Sequence, residues 1–122
     1  MAYELFVLEF ENEHGEKSLF AQVEDANGTE NEDISLFLEQ ISEPSAHDFV
    51  IQVIDDVLRG ELEANRIEMS GFLCVVGPKH SVITDMTLED PYDVTIATEE
   101  LRDLIEIWWD EYTDFVLKHK AN

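Results

Sequence analysis

The side chains best suited to catalysis are scattered along this sequence. The histidines fall in two turns, at the start of one predicted helix and at the end of another: His14, His80, His47 and His119. No two of them have the i, i+4 spacing that places two imidazoles on one helix face for a metal ion. Cys74 lies in an apolar segment with no cation nearby, a pattern typical of a buried thiol. These patterns predict neither a catalytic residue nor an enzyme.

Carboxylates are abundant, and their spacing tests whether they form a metal site or an acid and base pair. Asp55 and Asp56 are adjacent in a predicted helix and point about 100° apart, which is wrong for joint coordination. Another cluster lacks the spacing and central glycine of a calcium loop: Asp85, Glu89, Asp90 and Asp93. No GxSxG, Walker, HExxH or CxxC motif occurs. We therefore expect no metal ion and no cofactor.

Negative charge dominates the composition. The 122 residues include 29 Asp and Glu against 7 Lys and Arg, a formal net charge of -22. Direct binding to nucleic acid or to an anionic membrane is disfavoured, because both carry the same sign as the protein. A hydrophobic content of 44% predicts a folded chain rather than a disordered acidic tail. Without an apolar run of about 18 residues or a positively charged leader, we expect a cytoplasmic protein with no membrane contact.

The acidic side chains are concentrated in one stretch of the chain. Residues 18–58 contain no Lys or Arg, whereas residues 24–56 contain ten Asp and Glu. Such an arrangement produces a strong negative field and repulsion within the compact state. One interpretation is a solvated face without a partner. The other is a surface that binds a cationic partner.

Hydrophobic periodicity in the first half predicts a hairpin followed by two helices. Residues 3–11 are apolar on both alternating sets, which is typical of an interior strand covered on two sides, and residues 17–24 form its hairpin partner. Residues 25–33 form an exposed loop. A short helix is predicted with Asp33 as its N-cap, and a second helix follows Pro44, with a capping box over residues 45–48, and ends at Gly60.

The second half alternates short strands with turns and ends in a helix. Residues 67–76 form one predicted strand with a bulge at Ser70 and Gly71, followed by strands at residues 81–86 and 92–97. Thr98 caps a long amphipathic helix whose off-face residues Ile107 and Leu117 face solvent or a partner. The order predicts an α+β fold for a single domain of residues 1–122, with a mainly antiparallel sheet of about five strands and two to three helices.

The outline of the chain resembles a known class of proteins. A very acidic small domain that begins with YELFVLEF at residues 3–10 and ends with TEELRDLIEIWWDEY at residues 98–112 resembles bacterial immunity proteins, especially those of contact-dependent growth inhibition systems. The resemblance implies a protein that neutralises a cognate toxin, commonly a nuclease, by binding it in the cytoplasm. A nuclease holds phosphates with Lys and Arg, so an acidic surface matches it in sign.

A toxin inhibitor of this kind needs acidic contacts and a few aromatic anchors. We predict a cognate basic toxin domain as the partner, bound by the acids of the base-free stretch and by Tyr92 with its acidic neighbours. The predicted toxin-binding residues are Glu30, Glu32, Asp33, Glu39, Glu43, Asp48, Asp55, Asp90, Tyr92 and Asp93. The isolated protein is expected to be a monomer.

Two other functions explain the acidity differently. A dimeric chaperone for a secreted effector would present off-face apolar side chains to an extended segment: Ile51, Leu58, Ile107 and Leu117. A DNA mimic would space its carboxylates like the phosphates of a duplex and inhibit a DNA-binding protein. The chaperone hypothesis predicts a stable dimer, whereas the immunity-protein hypothesis predicts a complex with a folded toxin domain.

Overall fold

Two antiparallel sheets and three helices make up the architecture. The computed structural model describes residues 2–120, which form β1 (Tyr3–Glu11), β2 (Lys17–Asp25), α1 (Glu32–Glu39), α2 (Pro44–Leu58), β3 (Asn65–Met69), β4 (Phe72–Val76), β5 (His80–Asp85), β6 (Asp93–Ala97) and α3 (Thr98–Lys120). β1 pairs only with β2, and β3 to β6 form a meander in sequence order. The predicted α+β class, antiparallel pairing and long C-terminal helix are confirmed. The strands number six rather than about five.

The additional strand comes from residues 67–76, which divide into β3 and β4. Ser70 and Gly71 have φ angles of 49° and 86°, and the residues on either side of them pair with each other. Two consecutive left-handed residues in a two-residue loop are typical of a type I′ hairpin turn. A Cβ atom on Gly71 would lie 2.5 Å from the Thr87 side chain, so glycine is required there. The predicted bulge is therefore a chain reversal.

The first turn of α1 also differs from the prediction. The N-cap is Asn31, whose side chain accepts a hydrogen bond from the backbone N–H of Ile34. Asp33 is not the cap. It lies in the first turn of the helix, where negative charge is favoured by the helix dipole. Because Asn31 already satisfies the helix end, the Asp33 carboxylate has no capping role.

The starts of the other two helices depend on different groups. α2 begins at Pro44 itself, behind an N-cap residue, Glu43, whose side chain makes no capping hydrogen bond. Proline suits this first position because it needs no N–H partner there. The Thr98 hydroxyl at the start of α3 donates to the Gly77 carbonyl and also contacts Ser81, so it joins the helix to the meander.

The core lies where α3 packs against α1, α2, β2 and the four-stranded sheet. Trp108 of α3 is 1% exposed, and its indole N–H donates to the Ile41 carbonyl at 2.9 Å, between α1 and α2. Cys74 is also buried, as predicted, and burial raises the pKa of its thiol to about 12. Ile107 and Leu117 are exposed as predicted. The amphipathic pattern of α3 thus correctly places these two side chains on its exposed side.

The β1–β2 hairpin is covered on one face only. One set of β1 side chains packs against the core: Tyr3, Leu5 and Val7. The alternate set is exposed, at 40%, 37% and 54% respectively: Phe6, Leu8 and Phe10. The prediction of an interior strand covered on both sides is wrong, because the hairpin pairs with no other strand and nothing in residues 2–120 packs over its outer face. A strand with two apolar faces therefore leaves one face open.

Replacing Trp108 with Phe should lower the free energy of unfolding by about 2 kcal/mol, because the substitution leaves a cavity and an unpaired Ile41 carbonyl. Urea denaturation followed by circular dichroism measures this change. The matched control is Trp109→Phe on the same helix, at a partly exposed side chain with no hydrogen bond to the core. Equal losses in the two variants would contradict the role assigned to the Trp108 indole.

Candidate protein-binding surface

An open groove lies between the outer face of the β1–β2 hairpin and helix α1. Its volume is about 400 Å³. The large apolar side chains that line it are 37% to 54% exposed: Leu8, Phe10, Phe20 and Leu36. Three of the predicted toxin-binding acids also line it: Glu30, Glu32 and Glu39. We call this surface the acidic groove.

Two kinds of interaction hold the groove in shape: a contact between two strand side chains, and hydrogen bonds from the β2 backbone to side chains of α1. Phe10 and Phe20, on neighbouring strands, meet edge to face with ring centroids 5.1 Å apart. The Glu39 carboxylate accepts a hydrogen bond from the backbone N–H of Ala21 at 3.1 Å. The Ser35 hydroxyl oxygen likewise accepts a hydrogen bond from the backbone N–H of Val23 in β2. These bonds satisfy the outer edge of β2 and keep α1 beside the apolar face.

The electrostatics of the groove favour a cation. Burial raises the pKa of the Glu39 carboxyl, and the negative charge of Glu30 raises it further, while the hydrogen bond from Ala21 opposes the rise. No Lys or Arg of the described residues lines the groove. A positively charged group placed there relieves the repulsion between the carboxylates. The groove therefore offers an apolar floor and an acidic rim to a basic amphipathic ligand.

A second acidic cluster contains two further predicted residues. Asp33 and Tyr92 lie together beside Asp85, and both aspartates are buried. Burial is the main cause that raises the pKa of the Asp33 carboxyl, and the charges of Asp85 and Glu32 raise it further; the Tyr92 hydroxyl lowers it. The Asp33 charge in turn raises the pKa of the Tyr92 phenol. The fold thus joins acids that are far apart in the sequence.

Four predicted residues lie outside both of these places. Glu43 and Asp48 are exposed at the start of α2, and Asp90 is exposed in the turn before β6. Asp93 is exposed on β6, where its carboxylate accepts a hydrogen bond from the Thr84 hydroxyl at 2.7 Å. None of the four lines the acidic groove. Their predicted contact with a toxin stays a prediction.

Asp55 is engaged within the protein. Its carboxylate accepts two hydrogen bonds from the Arg102 guanidinium, at 2.6 Å and 3.2 Å, which join α2 to α3. The hydrogen bond from Arg102 is the main cause that lowers the pKa of the Asp55 carboxyl, and burial opposes it. Since the carboxylate is already paired, we leave Asp55 out of the proposed binding surface.

The chain matches no protein family model, no curated protein and no solved structure. No helix within residues 2–120 is long and apolar enough to cross a membrane. In the same residues, no group of three or more His, Cys, Asp and Glu side chains is placed to hold a metal ion.

The sequence interpretation missed two groups of residues. The first group is the apolar lining of the acidic groove, for which the second apolar set of β1 is the sequence signal. The second group surrounds His47, for which the sequence predicts no role. Its ring stacks on Trp109 with centroids 4.8 Å apart, and Nε2 contacts the Glu106 carboxylate. No local pattern signals the His47 contacts, because their partners lie on α3.

Replacing Asp55 with Asn should lower the free energy of unfolding by about 1 kcal/mol at neutral pH, since Arg102 loses its charged partner at a partly exposed site. The folded pKa of Asp55 lies below its ordinary value of 3.8, so the stabilisation is present above that pH and is lost as the pH falls through the folded pKa. Urea denaturation at neutral and acidic pH measures it. The control is Asp48→Asn, at an exposed carboxylate on the same helix. If the difference in unfolding free energy between wild type and Asp55→Asn did not decrease at acidic pH, the stabilising role of the ionised Asp55 carboxylate would be contradicted.

Proposed function

We propose that this protein is an immunity protein that binds and neutralises a basic toxin domain, and that the acidic groove is its contact surface. The carrying observation is that large exposed apolar side chains and carboxylates line the same groove. Apolar contacts supply affinity, and carboxylates select a partner of opposite sign. The resemblance of the sequence outline to immunity proteins of contact-dependent growth inhibition supports the same class of function.

The apolar floor is large enough to contribute substantially to binding. Complete burial of a Phe or Leu side chain contributes about 1.5–3 kcal/mol. Here four such side chains are already partly buried, so each contributes less, and association itself has an entropic cost. A partner that covers all four together, with its own apolar residues opposite Phe10 and Phe20, is therefore needed for stable binding. A folded domain meets that requirement better than a single small ligand.

The acidic rim indicates which partner is selected. A toxin that cleaves nucleic acid presents Lys and Arg where it holds phosphates. Glu30 and Glu32 are exposed at the groove, and no Lys or Arg occurs in residues 18–58 to compete for them. Attraction between the two proteins accelerates their encounter by about 10-fold to 1000-fold at low salt. Fast encounter suits an antidote, which has to bind its toxin before the toxin acts.

The effector-chaperone alternative has weaker support in the fold. Of the four apolar residues it requires, Ile51 and Leu58 are half-buried and pack against the core. Ile107 and Leu117 remain exposed on α3. The large apolar lining of the acidic groove lies on the hairpin and α1 instead. Solution size separates this alternative from the proposed function.

Analytical ultracentrifugation should give a monomer of 14.1 kDa, because two copies that each carry a charge of -22 repel one another. The measurement is repeated at high salt, which screens this repulsion and would reveal a dimer held by apolar contacts. A stable dimer at both salt concentrations would contradict the hypothesis of a monomeric immunity protein and support the chaperone hypothesis.

Charge reversal at the rim tests the binding surface. The purified protein is first used to capture the proteins that bind it from the source organism. A captured basic domain is then expressed alone and assayed for nuclease activity and toxicity. The double variant Glu30→Lys and Glu32→Lys should slow association with that domain by about tenfold at low salt, and the effect should diminish as salt increases. Stopped-flow kinetics measures association, and growth of toxin-expressing cells measures neutralisation.

The matched control reverses two exposed acids away from the groove, Glu63 and Glu99, and so makes the same change in net charge. We expect a clearly smaller effect on association from this control. Phe20→Ala should instead accelerate dissociation, since it removes part of the apolar floor. Equal association rates in the two double variants would contradict the acidic groove as the contact surface. A captured partner that is acidic, or that is not inhibited, would contradict the immunity function.

A further inference from the structure

The cluster of Asp33, Asp85 and Tyr92 is not explained by folding alone. Asp33 is 4% exposed, and its Oδ2 atom has no hydrogen-bond partner within residues 2–120. Asp85 is 6% exposed, and its Oδ1 accepts two hydrogen bonds from Thr87, one from the backbone N–H and one from the hydroxyl. The Oδ1 atom of Asp85 is thus satisfied locally, whereas the Asp33 carboxyl, which interacts with the Tyr92 hydroxyl, has one oxygen without a partner in residues 2–120. A buried carboxylate oxygen without a partner normally costs free energy.

The surroundings of Asp33 relieve this cost only in part, because burial and the neighbouring carboxylates raise the pKa of the Asp33 carboxyl, whereas the Tyr92 hydroxyl lowers it. The charges that act on the Asp33 carboxyl are the carboxylates of Asp85 and Glu32, and both repel it. The positive end of the α1 dipole provides partial compensation. No cation of the protein is among the groups that perturb the Asp33 carboxyl. The arrangement is stable in the free protein but lacks a positive charge.

The chemistry of the cluster discriminates between possible cations. A divalent metal ion needs more protein ligands, and residues 2–120 contain no group of three or more His, Cys, Asp and Glu placed to hold one. An aromatic side chain beside two carboxylates instead suits a guanidinium, which is planar, donates several hydrogen bonds in a fork and stacks on aromatic rings. Tyr92 is 57% exposed, so its ring and hydroxyl are accessible from solvent.

We infer that the Asp33 and Tyr92 cluster is a receptor for one arginine side chain of the basic partner. This inference rests on the proposed function and specifies how the partner is recognised. Glu32 connects the two places, because it lines the acidic groove and also lies close enough to act on Asp33 and Tyr92. We expect a partner whose apolar side chains fill the groove to extend past Glu32 and place one arginine at Asp33.

Binding requires a small local rearrangement. The Oδ2 atom of Asp33 is buried, so the guanidinium reaches it as the exposed Tyr92 side chain moves aside and then packs on the cation. The guanidinium donates to the free oxygen of Asp33 and reduces the repulsion from Asp85. Lysine is a poorer ligand, since its ammonium is more strongly hydrated and lacks the planar fork.

The test uses the isolated protein and a defined probe, acetyl-arginine amide, at constant ionic strength. Nuclear magnetic resonance should show saturable shifts of the Asp33 and Asp85 carboxyl carbons and of the Tyr92 ring. Acetyl-lysine amide should bind at least about threefold more weakly. Asp33→Asn should weaken arginine binding by at least about fivefold, because it removes the charged acceptor. Tyr92→Leu, at an exposed position that tolerates substitution, should also weaken it.

The matched control is Asp48→Asn, which removes an exposed carboxylate and makes the same change in net charge. It should leave arginine binding unchanged. Shifts spread over many acidic residues without saturation, or equal binding by the Asp33→Asn variant and wild type, would overturn the inference.

Failure of this inference is distinguishable from failure of the proposed function. If the protein binds a basic toxin and the Glu30→Lys and Glu32→Lys variant slows that association, but no arginine binding occurs at Asp33, only the arginine-receptor inference is overturned. Saturable arginine binding without any basic toxin overturns only the immunity function.

Discussion

Repulsion among acidic side chains is the constraint on which the rest of this structure depends. Twenty-nine acids face seven Lys and Arg, so most carboxylates have no countercharge within the chain. Several bases are already committed to ion pairs, including Lys17 with Glu9, Arg59 with Asp56 and Arg102 with Asp55. Folding therefore relies on the apolar core, in which α3 and its Trp108 hold α1, α2 and the sheets together. The negative field that remains is directed to solvent and to any partner.

The same constraint opposes self-association through the exposed apolar face of the hairpin. Apolar faces such as that of β1 and β2 promote association, but two copies of this chain repel each other strongly. A basic partner experiences the opposite force, since Glu30 and Glu32 stand beside Phe20 and Leu36. The arrangement matches the anatomy of a specific interface, with an apolar centre and a polar rim. In the proposed function, charge selects the partner and the hairpin provides the contact area.

The Asp33 oxygen that has no partner within residues 2–120 follows from a local detail of helix capping. Asn31 satisfies the start of α1, which leaves Asp33 in the first turn without a capping role. The approach of β5 then brings Asp85 close and buries both carboxylates. Native proteins seldom leave a buried carboxylate oxygen unsatisfied, and such exceptions concentrate at functional sites. Glu32 extends this cluster to the acidic groove, so the unsatisfied Asp33 oxygen and the proposed binding surface are connected through one side chain.

The sequence by itself determined whatever depends on local periodicity and composition: the α+β class, the three helices, the buried Cys74, the exposed Ile107 and Leu117, and an acidic stretch that contains Glu30, Glu32 and Glu39. Tertiary structure alone decided the rest. Whether a strand with two apolar faces is covered on both depends on which other elements reach it, and no element within residues 2–120 covers the outer face of β1. The residues Ser70 and Gly71 suit either a bulge or a type I′ turn. The antiparallel pairing of β3 with β4 on either side of them shows that the chain reverses there. The juxtaposition of Asp33 with Tyr92 and the pairing of Asp55 with Arg102 join distant segments, and periodicity carries no information about such contacts.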